Sequence, residues 1–290
     1  MEEIQHDTSH VFYKRSDVET IIVTTFQTYK KLFLPLFLYS FIGLLLIQGL
    51  LYATGFIDFF QNLDAQSMEN PERISDFLRQ MLWVILISFV AYSILNVSLL
   101  TYIERYGRNQ SLAVTTVIGE GVRKYFLHFL FFIFLGTILV ILGTMLGVVA
   151  IIIGSLVVAL YLGTVLISGG GVIVAENTNA FETIGRCFQL THRNFWVAVG
   201  AMVLYILIMI LISLILSAII MIPFVIVFFQ SVTSGDMSFG ELLQPANYGL
   251  GAGMILLNAV TGAITYPITA IFSMALYYAL AYHEREEIPQ

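Results

Sequence analysis

Apolar residues along this chain collect in long runs. They do not alternate as in half-buried strands, nor form the narrow stripe of a soluble helix. The first run extends from Leu32 to Ile57 and is broken only by Gln48. The second covers Met81 to Ile103, and from Tyr125 to Ala175 no charged residue occurs at all. A membrane-crossing helix needs about 20 mostly apolar residues, because the hydrocarbon core is about 30 Å thick and each residue rises about 1.5 Å. The long uncharged stretch therefore holds two crossings, with a turn between Thr144 and Ser155 where Gly143, Gly147 and Gly154 cluster. The pattern predicts six spans, at 32–57, 81–103, 125–146, 152–175, 196–223 and 253–282. They form a single membrane domain over 17–282, between a polar N-terminal tail (1–16) and a polar C-terminal tail (283–290). Pro35 falls in the first turn of its span, where a missing N–H is tolerated. Pro223 is expected to break the fifth run and Pro267 to kink the sixth.

Composition agrees. Hydrophobic residues make up 58% of the 290 and charged residues 11%, with a mean hydropathy of +0.88. Soluble domains carry about 25% charged residues, so lipid is the expected solvent and the fold class is an all-α polytopic helical bundle. Charge then orients it. Eleven of the thirteen basic residues fall in segments that six crossings place on one side, and only Arg73 and Arg79 on the other. Basic residues are retained in the cytoplasm, which predicts both termini inside, in the cytoplasmic (inner) membrane. The acidic, polar start lacks the basic and apolar beginning of a secretory signal, so no cleaved leader is expected. A net charge of −6 without a basic face excludes nucleic acid as a partner.

Three semi-polar segments precede the first, third and fifth spans and have helical spacing. They carry Val18, Ile21, Ile22, Phe26 and Tyr29, then Val114, Val117, Ile118, Val122 and Tyr125, then Ala180, Ile184 and Phe188. Each ends in basic residues followed by aromatics: Lys30-Lys31 before Phe33, Arg123-Lys124 before Phe126, Arg193 before Phe195-Trp196. Short amphipathic helices at the cytoplasmic interface would present these cations to lipid phosphates. Lys30, Lys31, Arg123, Lys124, Arg186, Arg193 and Trp196 are accordingly the candidate headgroup residues.

The third segment reads Glu176-Asn-Thr-Asn-Ala180-Phe-Glu182-Thr-Ile-Gly-Arg186-Cys-Phe-Gln-Leu190-Thr-His-Arg193-Asn-Phe195-Trp196. It resembles the glycerophosphoryl diester phosphodiesterase membrane-domain family and related uncharacterised multi-pass proteins, through Glu176, Ala180, Arg186, Leu190, Thr191, Asn194, Phe195 and Trp196. Some members of that family carry a soluble catalytic barrel, which needs about 250 residues and has no room here. The resemblance implies a membrane module without the phosphodiesterase, in which Glu176 and Arg186 form an ion pair or touch a headgroup.

Catalytic signatures are missing. The five histidines are scattered, no paired-histidine zinc motif or phosphate-binding glycine loop is present, and Cys187 is the sole cysteine. No catalytic residue, metal site or cofactor is therefore expected. Ion-coupled transport would leave ionisable residues at mid-span, where the sequence has only Gln48, Asn96, Asn258 and hydroxyl residues. Asn96 and Asn258 are candidate structural polar groups, expected to bond between helices. Gly143 and Gly147, like Gly249 and Gly253, have the spacing of close helix contacts, and Gly169-Gly170-Gly171 suggests a backbone crossing. The functional reading is a non-enzymatic module organising membrane lipids or another membrane protein at the inner face. A lipid transporter or flippase is the first alternative. An enzyme built around Glu176, Arg186 and His192 is the second.

Overall fold

The computed structural model describes residues 10–54, 71–110, 112–149, 152–234 and 250–286. In these residues the chain is helical, without strands: α1 (Val18–Ala53), α2 (Pro71–Gly107), α3 (Val114–Val149), α4 (Ile152–Leu166), α5 (Gly169–Glu176), α6 (Ala180–Arg193), α7 (Phe195–Ser234) and α8 (Leu250–Glu286). Six spans are long and apolar enough to cross a membrane, with α4 and α5 together making the fourth. The protein is an all-α, multi-pass membrane protein.

The helices are longer than the apolar runs. The amphipathic segments at 18–29 and 114–125 are the opening turns of α1 and α3, each continuous with its span, α1 running on through Pro35. Only the third forms a separate helix, α6. Pro35 consequently lies deep inside α1 rather than in a first turn. The helix α7 runs on past residue 223 to Ser234, so the expected break there does not occur. The acidic segment before the second span is helical from Pro71 and continuous with it.

The described residues divide into two compact units, one of residues 1–33, 92–206 and 267–290, the other of 34–91 and 207–266. In the second unit, Gly262 lets α8 lie against α1, since a Cβ there would come within 2.6 Å of Leu44 Cδ1. Large side chains such as Ile42, Leu46, Leu82, Leu211 and Leu214 are exposed, a surface suited to acyl chains.

The first unit holds most of the buried core, including Leu99, Ile103, Val165, Ile173, Ile271, Phe272 and Leu280. The stretch of α8 from Ala270 to Ala281 is buried on every face within the protein. Gly143 and Gly147 bring α3 and α4 together: Cβ atoms there would stand 2.7 Å from Leu162 and 2.8 Å from the Ser155 backbone. Gly249 lies outside the described residues.

Between α4 and α5 the fourth crossing breaks for two residues, Ile167 and Ser168. The Ile167 carbonyl accepts a 2.6 Å bond from Ser273 Oγ, and Ser168 Oγ donates to the Val165 carbonyl at 3.3 Å. The glycines of α5 make this possible. A Cβ on Gly171 would sit 2.6 Å from Tyr277 Cβ, one on Gly170 2.7 Å from Leu100, and one on Gly169 would run into the Phe132 ring. The backbone crossing suggested by the three glycines is real, and it seats α5 directly on α8.

Candidate functional site

The close seating of α5 on α8 sets up the polar centre of the first unit. Glu176 ends α5, and the chain then reverses in three residues. Asn177 takes a left-handed conformation (φ 54°, ψ 41°) and its N–H bonds the Ile173 carbonyl, a C-terminal stop that asparagine tolerates. Asn179 restarts the helix with a capping box: its Oδ1 accepts from the Glu182 N–H at 3.0 Å, and Glu182 Oε2 accepts from the Asn179 N–H at 3.2 Å. The stop and restart fold α6 back, so that Arg186, two turns in, reaches Glu176.

Arg186 bridges two carboxylates, sharing its single Nε–H between the oxygens of Glu176 and gripping Glu284 with two separate N–H groups. Arg186 Nε donates to Glu176 Oε1 and Oε2 at 3.1 and 3.2 Å, while its Nη1 and Nη2 donate to the two oxygens of Glu284 at 2.9 and 2.7 Å. Tyr277 completes the shell of Glu176 by donating its hydroxyl to Oε1 at 2.9 Å. Arg193 adds a second cation to Glu284 at 3.3 Å. The Glu176 side chain is 1% exposed and that of Arg186 16%. Burial works against the guanidinium charge, but the hydrogen bonds and charges of Glu284 and Glu176 outweigh it and hold Arg186 well above its ordinary value.

A second buried carboxylate, Glu104, closes α2. Tyr278 donates its hydroxyl to both Glu104 oxygens at 2.8 and 2.9 Å, and Arg108 Nε reaches Oε1 at 2.6 Å. The N-terminal segment supplies the last partner. His10 stacks on the Tyr278 ring with centroids 3.9 Å apart, places Nε2 3.3 Å from Glu104, and accepts the Phe12 N–H on Nδ1. With Nδ1 accepting, Nε2 is the donor nitrogen of a neutral ring, and it lies close to Glu104 without a hydrogen-bond partner among the described residues. Val11 N bonds the Gly107 carbonyl, and the Ser16 carbonyl meets His283 Nε2 at 2.9 Å, so the segment is pinned at both ends. Consecutive tyrosines of α8 thus each hold a different buried carboxylate.

The candidate residues separate into two groups. Arg186 and Arg193 are committed to Glu176 and Glu284. Lys30, Lys31, Arg123 and Lys124 are exposed, with the Lys124 ammonium 5.0 Å from the Tyr125 ring centre. Trp196 is 82% exposed, and Phe181 of α6 is also exposed. The buried stripe of α6 is Ala180, Thr183, Cys187, Leu190 and Thr191. It is rotated from the expected Ala180–Ile184–Phe188 face because small Thr183 and Cys187 fit against the polar break, with Cys187 Sγ 3.7 Å from Ser168 Oγ. Burial pushes the Cys187 thiol up to about 12, the hydrogen bond from Ser168 offsetting only part of it. Asn96 bonds the Tyr92 carbonyl of its own helix at 2.9 Å, as a short polar side chain can do at four residues' spacing. Among the described residues it makes no bond to a neighbouring helix. Asn258 is exposed. His192 is engaged by Tyr161 and by the Phe188 carbonyl, and among the described residues no hydrogen bond joins it to Glu176 or Arg186. Among the described residues no group of His, Cys, Asp and Glu could hold a metal ion.

Sequence reasoning missed Glu104, His10 and the tyrosine pair. One signal was available: two adjacent phenols in an otherwise apolar span need buried acceptors. No protein-family model, curated protein or solved structure matches the chain.

Proposed function

We propose that this protein is a non-enzymatic membrane module that gathers anionic lipid, and through it partner proteins, at the cytoplasmic face of the inner membrane. Both termini lie on that face in this reading. The observation that carries it is the division of the cations. The buried carboxylates engage Arg108, Arg186 and Arg193, whereas Lys30, Lys31, Arg123 and Lys124 stay exposed at the opening turns of two spans. Exposed Phe33 and Leu127 lie near them in sequence, exposed Phe181 and Trp196 belong to the third segment, and all four suit the headgroup boundary. Glu176 and Glu104 are each already held by an arginine and a tyrosine, an arrangement that braces helices. The resemblance of residues 176–196 to the glycerophosphoryl diester phosphodiesterase membrane domain belongs to the same proposal, with Glu176 and Arg186 as its brace.

The test is lipid retention. Replacing Lys30, Lys31, Arg123 and Lys124 with Gln removes four charges worth about 1 kcal/mol each near an anionic surface. Mass spectrometry of the detergent-purified protein is expected to show at least a tenfold loss of co-purified phosphatidylglycerol and cardiolipin. Unchanged retention by a variant of normal helix content refutes the lipid reading.

A further inference from the structure

In the second unit, a groove of about 520 Å³ runs from the C-terminal end of α1 along the second to fifth turns of α2. Thr54, Asp76, Arg79, Gln80, Trp83 and Ile87 line it. Gln80 fixes its floor by donating to the Thr54 carbonyl at 3.0 Å, which ties the end of α1 to α2. Asp76 and Arg79 pair at 2.9 Å with their side chains 61% and 73% exposed. Such an exposed pair is held together by little, on the order of 1 kcal/mol or less. One bond also uses only one of a guanidinium's N–H groups and part of a carboxylate's capacity. The groove therefore presents a cation and an anion side by side, both able to accept a ligand.

The sequence of lining groups follows a depth axis. The charges precede the apolar run that starts at Met81, Trp83 stands one turn inside it, and Ile87 a turn deeper. From Asp76 to Ile87 the helix rises about 16 Å, which matches the passage from headgroup to upper acyl chain. Thr54, at the end of α1, lines the same groove as Asp76, and the carbonyl end of a helix carries partial negative charge. We infer that this groove binds a zwitterionic phospholipid headgroup carrying a primary ammonium next to its phosphate. Arg79 takes the phosphate, Asp76 and the end of α1 take the ammonium, and Trp83 and Ile87 flank the glycerol and first methylenes. An anionic headgroup without an amine would meet Asp76 unfavourably. A quaternary ammonium has no N–H to donate to the carboxylate, so phosphatidylcholine is the discriminating competitor.

The experiment places the full chain in nanodiscs of equal phosphatidylethanolamine and phosphatidylcholine, extracts it gently, and measures the retained lipids by native mass spectrometry. The wild type is expected to keep the ethanolamine lipid at least fivefold over choline. Asp76→Asn should abolish that preference, Asp76→Glu should keep it, and Arg79→Gln should reduce retention of both lipids. Replacing Lys30, Lys31, Arg123 and Lys124 with Gln should leave the preference intact, which separates this groove from the basic face. Equal retention of the two lipids by the wild type, or an undiminished preference in Asp76→Asn, overturns the inference.

Discussion

Replacing Arg186 with Gln tests the brace directly. The substitution removes the Nε–H shared between the two Glu176 oxygens, the two bonds to Glu284 and one to Gln189. Glu284 keeps Arg193, but Glu176, with its side chain 1% exposed, keeps only the Tyr277 hydroxyl. Removing one partner of a buried pair costs about 3–5 kcal/mol, because the other charge is left unsolvated. The partial exposure of Arg186 places this variant at the lower end, about 3 kcal/mol, or roughly 6–12 °C in Tm for a protein of this size. The discriminating comparison is the double variant Glu176→Gln/Arg186→Gln. A neutral amide at 176 can still accept from Tyr277 and needs no cation, so the second substitution should recover at least half of the loss. Thermal unfolding in mild detergent, followed by tryptophan fluorescence, measures Arg186→Gln, the single Glu176→Gln and the double variant, with exposed Arg123→Gln as the control expected within about 0.5 kcal/mol. If Arg186→Gln unfolds no earlier than Arg123→Gln, or the double variant is the sum of the singles, the brace has no energetic meaning.

Gly171→Ala should destabilise by about 1–3 kcal/mol, since its Cβ would press on Tyr277 Cβ and the Ser273 carbonyl. Gly185→Ala, which meets nothing within 4 Å in α6, should stabilise by up to about 1 kcal/mol from helix propensity; the same unfolding assay reads both. Cys187 should resist maleimide at pH 8 in mild detergent and react at once in dodecyl sulfate, as checked by mass shift. Because burial raises its thiol from 9.0 to about 12, its contribution to stability is whole below pH 9.0 and is lost as pH rises toward 12. Asp17 acts in the opposite sense. Hydrogen bonds from the Thr20 side chain and backbone N–H lower its pKa, so its support of the first turn of α1 is present above its ordinary value of 3.8 and is lost as pH falls below it. Amide exchange at Thr20 and Ile21 should accelerate there, and Asp17→Ala should abolish the pH dependence.

Much of the fold was legible because lipid imposes a simple length rule on apolar runs. Helix ends were less so. A run read by hydropathy stops at its first charge, Glu104, yet α2 continues to Gly107 because that carboxylate finds partners inside the protein, whereas α5 does end at Glu176. Glu104 is also hidden by its contacts, Tyr278 lying 174 residues away and His10 coming from a segment that composition marks as a polar tail. The Glu176–Arg186 contact was readable because only ten residues separate the two. Its local cause was equally readable as the Asn179-x-x-Glu182 capping box, a signature that hydropathy passes over.

Neighbouring residues on a helix project about 100° apart. Tyr277 and Tyr278 therefore work as two keys cut at different angles on one shaft, each fitting a separate lock, Glu176 and Glu104. A turn of α8 about its axis that eased one hydroxyl from its carboxylate would drag the other sideways, and a slide along the axis would strip both. The end of α8 can be repositioned only by carrying α5 and the end of α2 with it. Whatever movement this protein makes in the bilayer, these three elements travel as one piece.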